Sequence, residues 1–183
     1  MLYSASRLAA RVAELGRDIS RDFAGRTVDV VVVMESSFIF AADLVRRISQ
    51  PVVCHFVRTD IHDLKQSGFD RREVFFSQPS RLAGRDVLLV DAVLDTGITQ
   101  DFLHERLLES GPRSLRLAVL VDKPRQRRVD LKPDYFGFAV ASKYLVGYGL
   151  AGSRGWFRNL PYIGVRPSQG RRVARAGKIR QVR

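Results

Sequence analysis

Apolar residues recur at Leu8, Val12, Leu15, Ile19 and Phe23, the spacing of one helix face, and predict an amphipathic helix over about 4–23. After a charged turn, the apolar run from Val28 to Met34 predicts a strand buried on both faces. Ser36 and Ser37 then offer an N-cap to a helix through Phe38, Ala41, Leu44 and Ile48. Pro51 to Val57 reads as a second strand. Residues 59–72 are polar and aperiodic and read as a long loop, with Glu73 to Phe76 a short strand returning from it. Further strands are expected at Asp86 to Asp91, Leu115 to Val121 and Tyr135 to Val140, and a helix at about Thr99 to Glu109.

Strands alternating with helices in this way predict an α/β domain built on a mostly parallel sheet. Ligands of such sheets bind at the carboxyl ends of the strands. One cleft is therefore expected to collect Met34 and Glu35, the 59–72 segment, Asp91 to Asp95, and Asp122 with Lys123.

Length and composition narrow the class. The 183 residues suffice for one domain with its own core. The single cysteine, Cys54, excludes an internal disulfide framework and fits a reducing cytoplasm. Arg7, Arg11, Glu14, Arg17 and Asp18 interrupt the first 23 residues, so these form neither a signal peptide nor a membrane span. The net charge of +12 is uneven. Seven basic residues and no acid lie from Arg166 onward (Arg166, Arg171, Arg172, Arg175, Lys178, Arg180 and Arg183), without an aromatic residue among them. Residues 166–183 thus read as a flexible basic tail, suited to an anionic partner such as nucleic acid or to plain solvation.

The strongest chemistry lies in VLLVDAVLDTGIT, Val87 to Thr99. A strand delivers Asp91 and Asp95, and Thr96, Gly97, Ile98 and Thr99 open a helix. Backbone N–H groups at a helix N-terminus bind anions, Thr96 and Thr99 add hydroxyls, and Gly97 permits close approach. Taken alone, the same string also describes an ordinary capped turn.

The segment and its surroundings resemble the hypoxanthine-guanine phosphoribosyltransferases of the type I phosphoribosyltransferase family. RVAELGRDI (11–19), FIFAADLVRRI (38–48), FVR (56–58), VDKP (121–124), KPDYFGF (132–138), LVGYGL (145–150) and FRNLPYIGV (157–165) carry the resemblance in order. It implies the type I fold, a mostly parallel sheet flanked by helices. A small hood would form from the N-terminal region and about 142–165, within a single domain over 1–165. It implies transfer of phosphoribosyl from phosphoribosyl pyrophosphate to a 6-oxopurine, purine salvage that yields IMP or GMP with magnesium as cofactor. A cytoplasmic homo-oligomer with no membrane association is expected. In this likeness Asp95 is the general base at the purine ring nitrogen, Thr96 to Thr99 cradle the 5′-phosphate, and Asp91 serves the ribose and magnesium. Lys123 donates to the 6-oxo group, Tyr144 stacks on the base, Leu145 offers backbone contacts, and Arg158 binds pyrophosphate.

The departures are concentrated. Where the family has Lys-Gly, often with a cis peptide, this chain has Glu35-Ser36. The second acid of the strand pair is Ala92, the Asp after LVGYGL is Ala151, and Asp60-Ile61-His62 stands in place of a Ser-Tyr lid, with His62 or Lys65 as candidate substitutes. The residues replaced serve pyrophosphate, magnesium and closure, while those kept serve the base and the 5′-phosphate. Two readings follow: a magnesium-dependent salvage enzyme, and a non-catalytic paralogue that binds a purine nucleotide as a regulatory or assembly subunit.

Overall fold

The computed structural model describes residues 1–66, 69–76, 82–141, 144–152 and 155–166, with backbone alone for 59–66 and 69–76. Helix α1 spans Ala5–Asp22, where the Ser4 hydroxyl accepts from the Arg7 amide as its cap. Strand β1 is Val28–Met34, α2 Phe38–Val45, β2 Val52–Gln66 and β3 Phe69–Phe76. Then follow β4 Asp86–Leu94, α3 Ile98–Leu108, β5 Ser114–Asp122 and β6 Tyr135–Ala139, with the short pair β7 Leu145–Val146 and β8 Gly164–Val165.

The main sheet runs β3-β2-β1-β4-β5-β6. Five of its strands pair in parallel, and β3 joins β2 antiparallel. Burial explains why the central strands carry so few polar residues: β1 and β4 are covered on both faces. Alternate side chains of β1 go to opposite layers. Val30 and Val32 pack with Leu8, Leu15, Phe40 and Leu44 under α1 and α2. Val31 and Val33 pack with Leu103 and Leu107 of α3. The edge pair β7-β8 is tied to the chain start, where Tyr3 bridges Ile163 and stacks on Phe138 with ring centroids 4.0 Å apart.

Two sequence expectations are corrected. Residues 59–66 do not form a loop; they extend β2, paired residue by residue with β3 from Thr59–Phe76 to Gln66–Phe69. The pairing is backbone to backbone, so a hairpin arm can form without the alternating pattern that identifies a half-buried strand. Helix α2 ends at Val45, not Ile48. Its Ser37 carries no side-chain capping bond, because that hydroxyl is committed to Asp91 at 2.8 Å.

Candidate active site

Strands β1, β4 and β5 end side by side, so Glu35, Asp95 and Lys123 follow three adjacent carboxyl ends. Between β4 and α3 the chain turns through Asp95 and Thr96 to Gly97, the N-cap of α3, whose φ of 85° lies in the left-handed region. A Cβ at Gly97 would meet Val129 Cγ2 at 2.7 Å and Arg127 Cδ at 2.9 Å. Glycine is therefore required there by backbone conformation and by space. No side chain caps α3. Its first amides and the positive end of its dipole are thus available to an anion beside half-buried Thr96, Ile98 and Thr99.

The segment after β5 closes over this turn. The Lys123 ammonium, 11% exposed, donates to Asp95 Oδ2 at 2.8 Å, while the Asp95 carboxylate remains 47% exposed. One end of the ion pair is fixed in protein and the other faces the cleft. Arg127 donates to the Asp95 carbonyl at 2.9 Å and pairs with the Asp122 carboxylate. Thr96 accepts from the Arg128 amide at 2.8 Å. Two hydrogen bonds thus hold the Asp95–Thr96 backbone against the 123–128 segment, and the Lys123 ion pair holds the Asp95 side chain. Sequence reasoning missed Arg127; its only sign was a place in the basic run RQRR, indistinguishable there from a solvated surface charge.

Asp91, which the resemblance assigns to the ribose and magnesium, has its carboxylate turned into the protein. It is 7% exposed. One carboxylate oxygen accepts from Ser37 Oγ at 2.8 Å and from the Ala92 amide at 2.6 Å, and the other from Gln100 Nε2 at 2.6 Å. Burial pushes its carboxyl above the usual range despite these donors. Its oxygens are spent on joining α2, β4 and α3, and Ala92 beside it is fully buried. The bonds of Ser37 and Gln100 to Asp91 were not foreseen, because a long-range side-chain triangle leaves no mark in periodicity. This donor set does not fit a protein-held magnesium ion. Asp91 is engaged, Ala92 and Ala151 offer no oxygen on the side chain, and no group of three or more His, Cys, Asp and Glu is gathered among the described residues.

At the end of β1 the Met34–Glu35 peptide is cis. Glu35 Oε2 accepts from Arg158 Nη2 at 3.2 Å, and Arg58 Nη2 stands 3.9 Å from Oε1. Arg158 also donates to the Gly149 carbonyl at 2.7 Å and to Ser36 Oγ at 3.3 Å. The acid that replaces a lysine therefore faces the arginine expected to hold pyrophosphate and partly neutralises it. Tyr144 is 55% exposed, with Arg166 over its ring, while Leu145 is buried in β7. Ala151 accepts the Tyr144 hydroxyl through its carbonyl at 3.4 Å. The side chains of His62 and Lys65 and residues 167–183 lie outside the described residues.

A strand–turn–helix with an open helix N-terminus at the carboxyl ends of a parallel sheet, flanked by an exposed carboxylate and a buried ammonium, is the arrangement of a phosphoribosyl transferase domain, and a family model of that description matches residues 1–151. A hypoxanthine-guanine phosphoribosyltransferase of Aquifex aeolicus is 35% identical over 164 residues, covering 89% of this chain and 92% of that protein. The crystal structure of a hypoxanthine-guanine phosphoribosyltransferase from Bacillus anthracis superposes with a TM-score of 0.80 at 34% identity, covering 89% of this chain and 94% of that one. The bifunctional protein TilS/HprT of Listeria monocytogenes is 31% identical over 165 residues, and this chain spans 25% of its length. The chain belongs to the hypoxanthine-guanine phosphoribosyltransferase family.

Proposed function

We propose that this chain is a purine-salvage phosphoribosyltransferase that converts hypoxanthine or guanine and phosphoribosyl pyrophosphate to IMP or GMP and pyrophosphate. The observation that carries the reading is the Asp95–Lys123 pair beside the open N-terminus of α3. The 5′-phosphate is held by the amides of Gly97 to Thr99 and the hydroxyls of Thr96 and Thr99. The purine lies over Asp95, with Lys123 donating to its 6-oxo group, Tyr144 against its face and Leu145 at its edge. As the ribose–pyrophosphate bond breaks, a bond forms to a five-membered-ring nitrogen, and the proton displaced from the purine passes to Asp95. Arg158 receives the pyrophosphate on leaving Glu35. Magnesium is the family's cofactor; because this chain's own donors do not fit it, no step here runs through a protein-held ion. The test is pyrophosphate release from phosphoribosyl pyrophosphate with hypoxanthine or guanine, compared with an Asp95→Asn control. No release above that control overturns the reading.

A second reading is favoured by a specific observation, the Glu35–Arg158 ion pair, at the residues proposed for pyrophosphate. In this reading the chain binds IMP or GMP as a regulatory or assembly subunit without turnover. Calorimetric binding of GMP by a protein that releases no pyrophosphate supports it, and absence of binding at millimolar GMP removes it.

Residues 1–165 are assigned as one domain with a hood from the N-terminal region and about 142–165, in a cytoplasmic homo-oligomer. No helix among the described residues is long and apolar enough to cross a membrane. The 166–183 tail is assigned to an anionic partner, nucleic acid included; the mark of that role is steeply salt-dependent RNA binding that disappears on truncation at Arg166.

A further inference from the structure

The opposite end of the sheet carries its own charged cluster. Three neighbouring strands, β1, β4 and β5, are entered through turns of similar sequence: Gly25-Arg26-Thr27, Gly84-Arg85-Asp86 and Gly111-Pro112-Arg113-Ser114. Their arginines surround a polar depression of about 280 Å³ to which Thr27 and Asp86 also contribute. The depression lies one strand length from the cleft, roughly 25 Å at the rise of an extended chain.

The internal pairing is asymmetric. Asp86 is fully buried and accepts from Arg26 Nη1 at 3.0 Å, Ser114 Oγ at 2.7 Å and Arg113 Nε at 3.2 Å, with Arg113 Nη2 also in contact. Its needs are met without Arg85. Arg85 instead donates through Nε to Asp29 Oδ2 at 2.7 Å, and Asp29 also contacts His55 Nε2 at 2.8 Å. Among the described residues Arg85 Nη1 and Nη2 have no hydrogen-bond partner, and the side chain is 41% exposed. Three guanidinium groups stand against two carboxylates, which leaves one positive charge in excess around the depression.

We infer that this depression is a second anion site that takes a diphosphate group, either free pyrophosphate or the diphosphate end of a nucleotide. A guanidinium fork with its two terminal nitrogens open matches two oxygens of a phosphate, and flanking arginines add charge-assisted donors. Arg26 and Arg113 are already braced on Asp86 and need little ordering when the ligand arrives. The volume lies just below the range of pockets that enclose whole drug-sized ligands, so a compact anion fits and a nucleoside would project into solvent. Because the three arginines sit in the turns that enter the strands leading to Glu35, Asp95 and Lys123, the ligand would clamp the sheet that positions the cleft. The inference stands independently of the activity proposed above.

The test is titration of the ¹⁵N-labelled full chain with inorganic pyrophosphate and, separately, with ADP, followed by amide spectra. Saturable shifts at Gly25, Thr27, Arg85 and Arg113, with Arg85→Gln weakening them about tenfold or more and Arg85→Lys by less, are expected. Arg85→Gln leaves Asp86 satisfied and Asp29 in contact with His55, and an unchanged melting temperature verifies its fold. Binding by both probes identifies the free diphosphate, and binding by ADP alone identifies a nucleotide. Shifts confined to Gly97, Ile98 and Thr99 with either probe, or equal affinity in wild type and Arg85→Gln, overturn the inference.

Discussion

The ammonium of Lys123 lies 2.8 Å from the Asp95 carboxylate, joining the residues that follow two neighbouring parallel strands across the mouth of the cleft. The lysine is buried and the aspartate half exposed, so the pair presents an acceptor to solvent while the donor stays sequestered. A purine seated here would meet both groups at once.

Asp95→Asn removes the proton acceptor while keeping shape and the hydrogen bond from Lys123. Turnover is expected to fall about 10²- to 10⁴-fold, the usual contribution of a positioned general base. Binding of GMP measured by calorimetry should change far less. Equal losses in both would assign Asp95 to binding.

Lys123→Met keeps the length of the side chain but removes the donor expected at the 6-oxo group. The kcat/KM for guanine and hypoxanthine should fall about 10- to 100-fold, mainly through KM, since a charged hydrogen bond contributes roughly 1.5–3 kcal/mol. A loss confined to kcat would place the lysine with the reacting atoms.

Glu35→Lys reverses the charge facing Arg158 and frees that arginine. The KM for phosphoribosyl pyrophosphate should fall about tenfold, with Glu35→Gln intermediate, because charges about 4 Å apart interact by roughly 1–4 kcal/mol in this partly exposed setting. Added salt should narrow the difference. Unchanged kinetics in both variants would separate Glu35 from the pyrophosphate region.

Gly97→Ala places a Cβ in a left-handed residue and against Val129 and Arg127. A cost of about 1–2 kcal/mol is expected. For a chain of this size that lowers the melting temperature by roughly 3–8 °C in calorimetry. The same substitution should raise the KM for phosphoribosyl pyrophosphate, because the moved amides are those proposed to cradle the 5′-phosphate.

The Arg113 hydrogen bond, with Ser114 and Arg26, holds the Asp86 carboxyl well below its ordinary value of 3.8, at about 2. The folded chain therefore binds this proton less tightly than the unfolded chain. The stabilisation, roughly 2 kcal/mol, is present above about pH 4 and is lost as pH falls towards 2. Urea midpoints of wild type should decline across that window, and those of Asp86→Asn should start lower and converge with them at acid pH. Parallel curves would deny Asp86 the role.

The sequence by itself determined the core strands. An apolar run such as Val28 to Met34 has one stable destination, a position buried on both sides, and α1 announces its buried face through residues three and four apart. It also determined the turn into α3, because Asp95-Thr96-Gly97 at a strand-to-helix junction is a local device whose geometry its own residues dictate. The β2–β3 hairpin was not legible, since backbone pairing needs no apolar period. Nor were the partners that only long-range packing supplies. Tertiary structure alone drew Asp91 inward to Ser37, 54 residues away in sequence, and to Gln100. It alone brought Arg158 onto Glu35 across 123 positions and set Arg127 on the Asp95 carbonyl. A side chain's charge and size are written in its own position, but which group neutralises it depends on chain segments that meet only after folding.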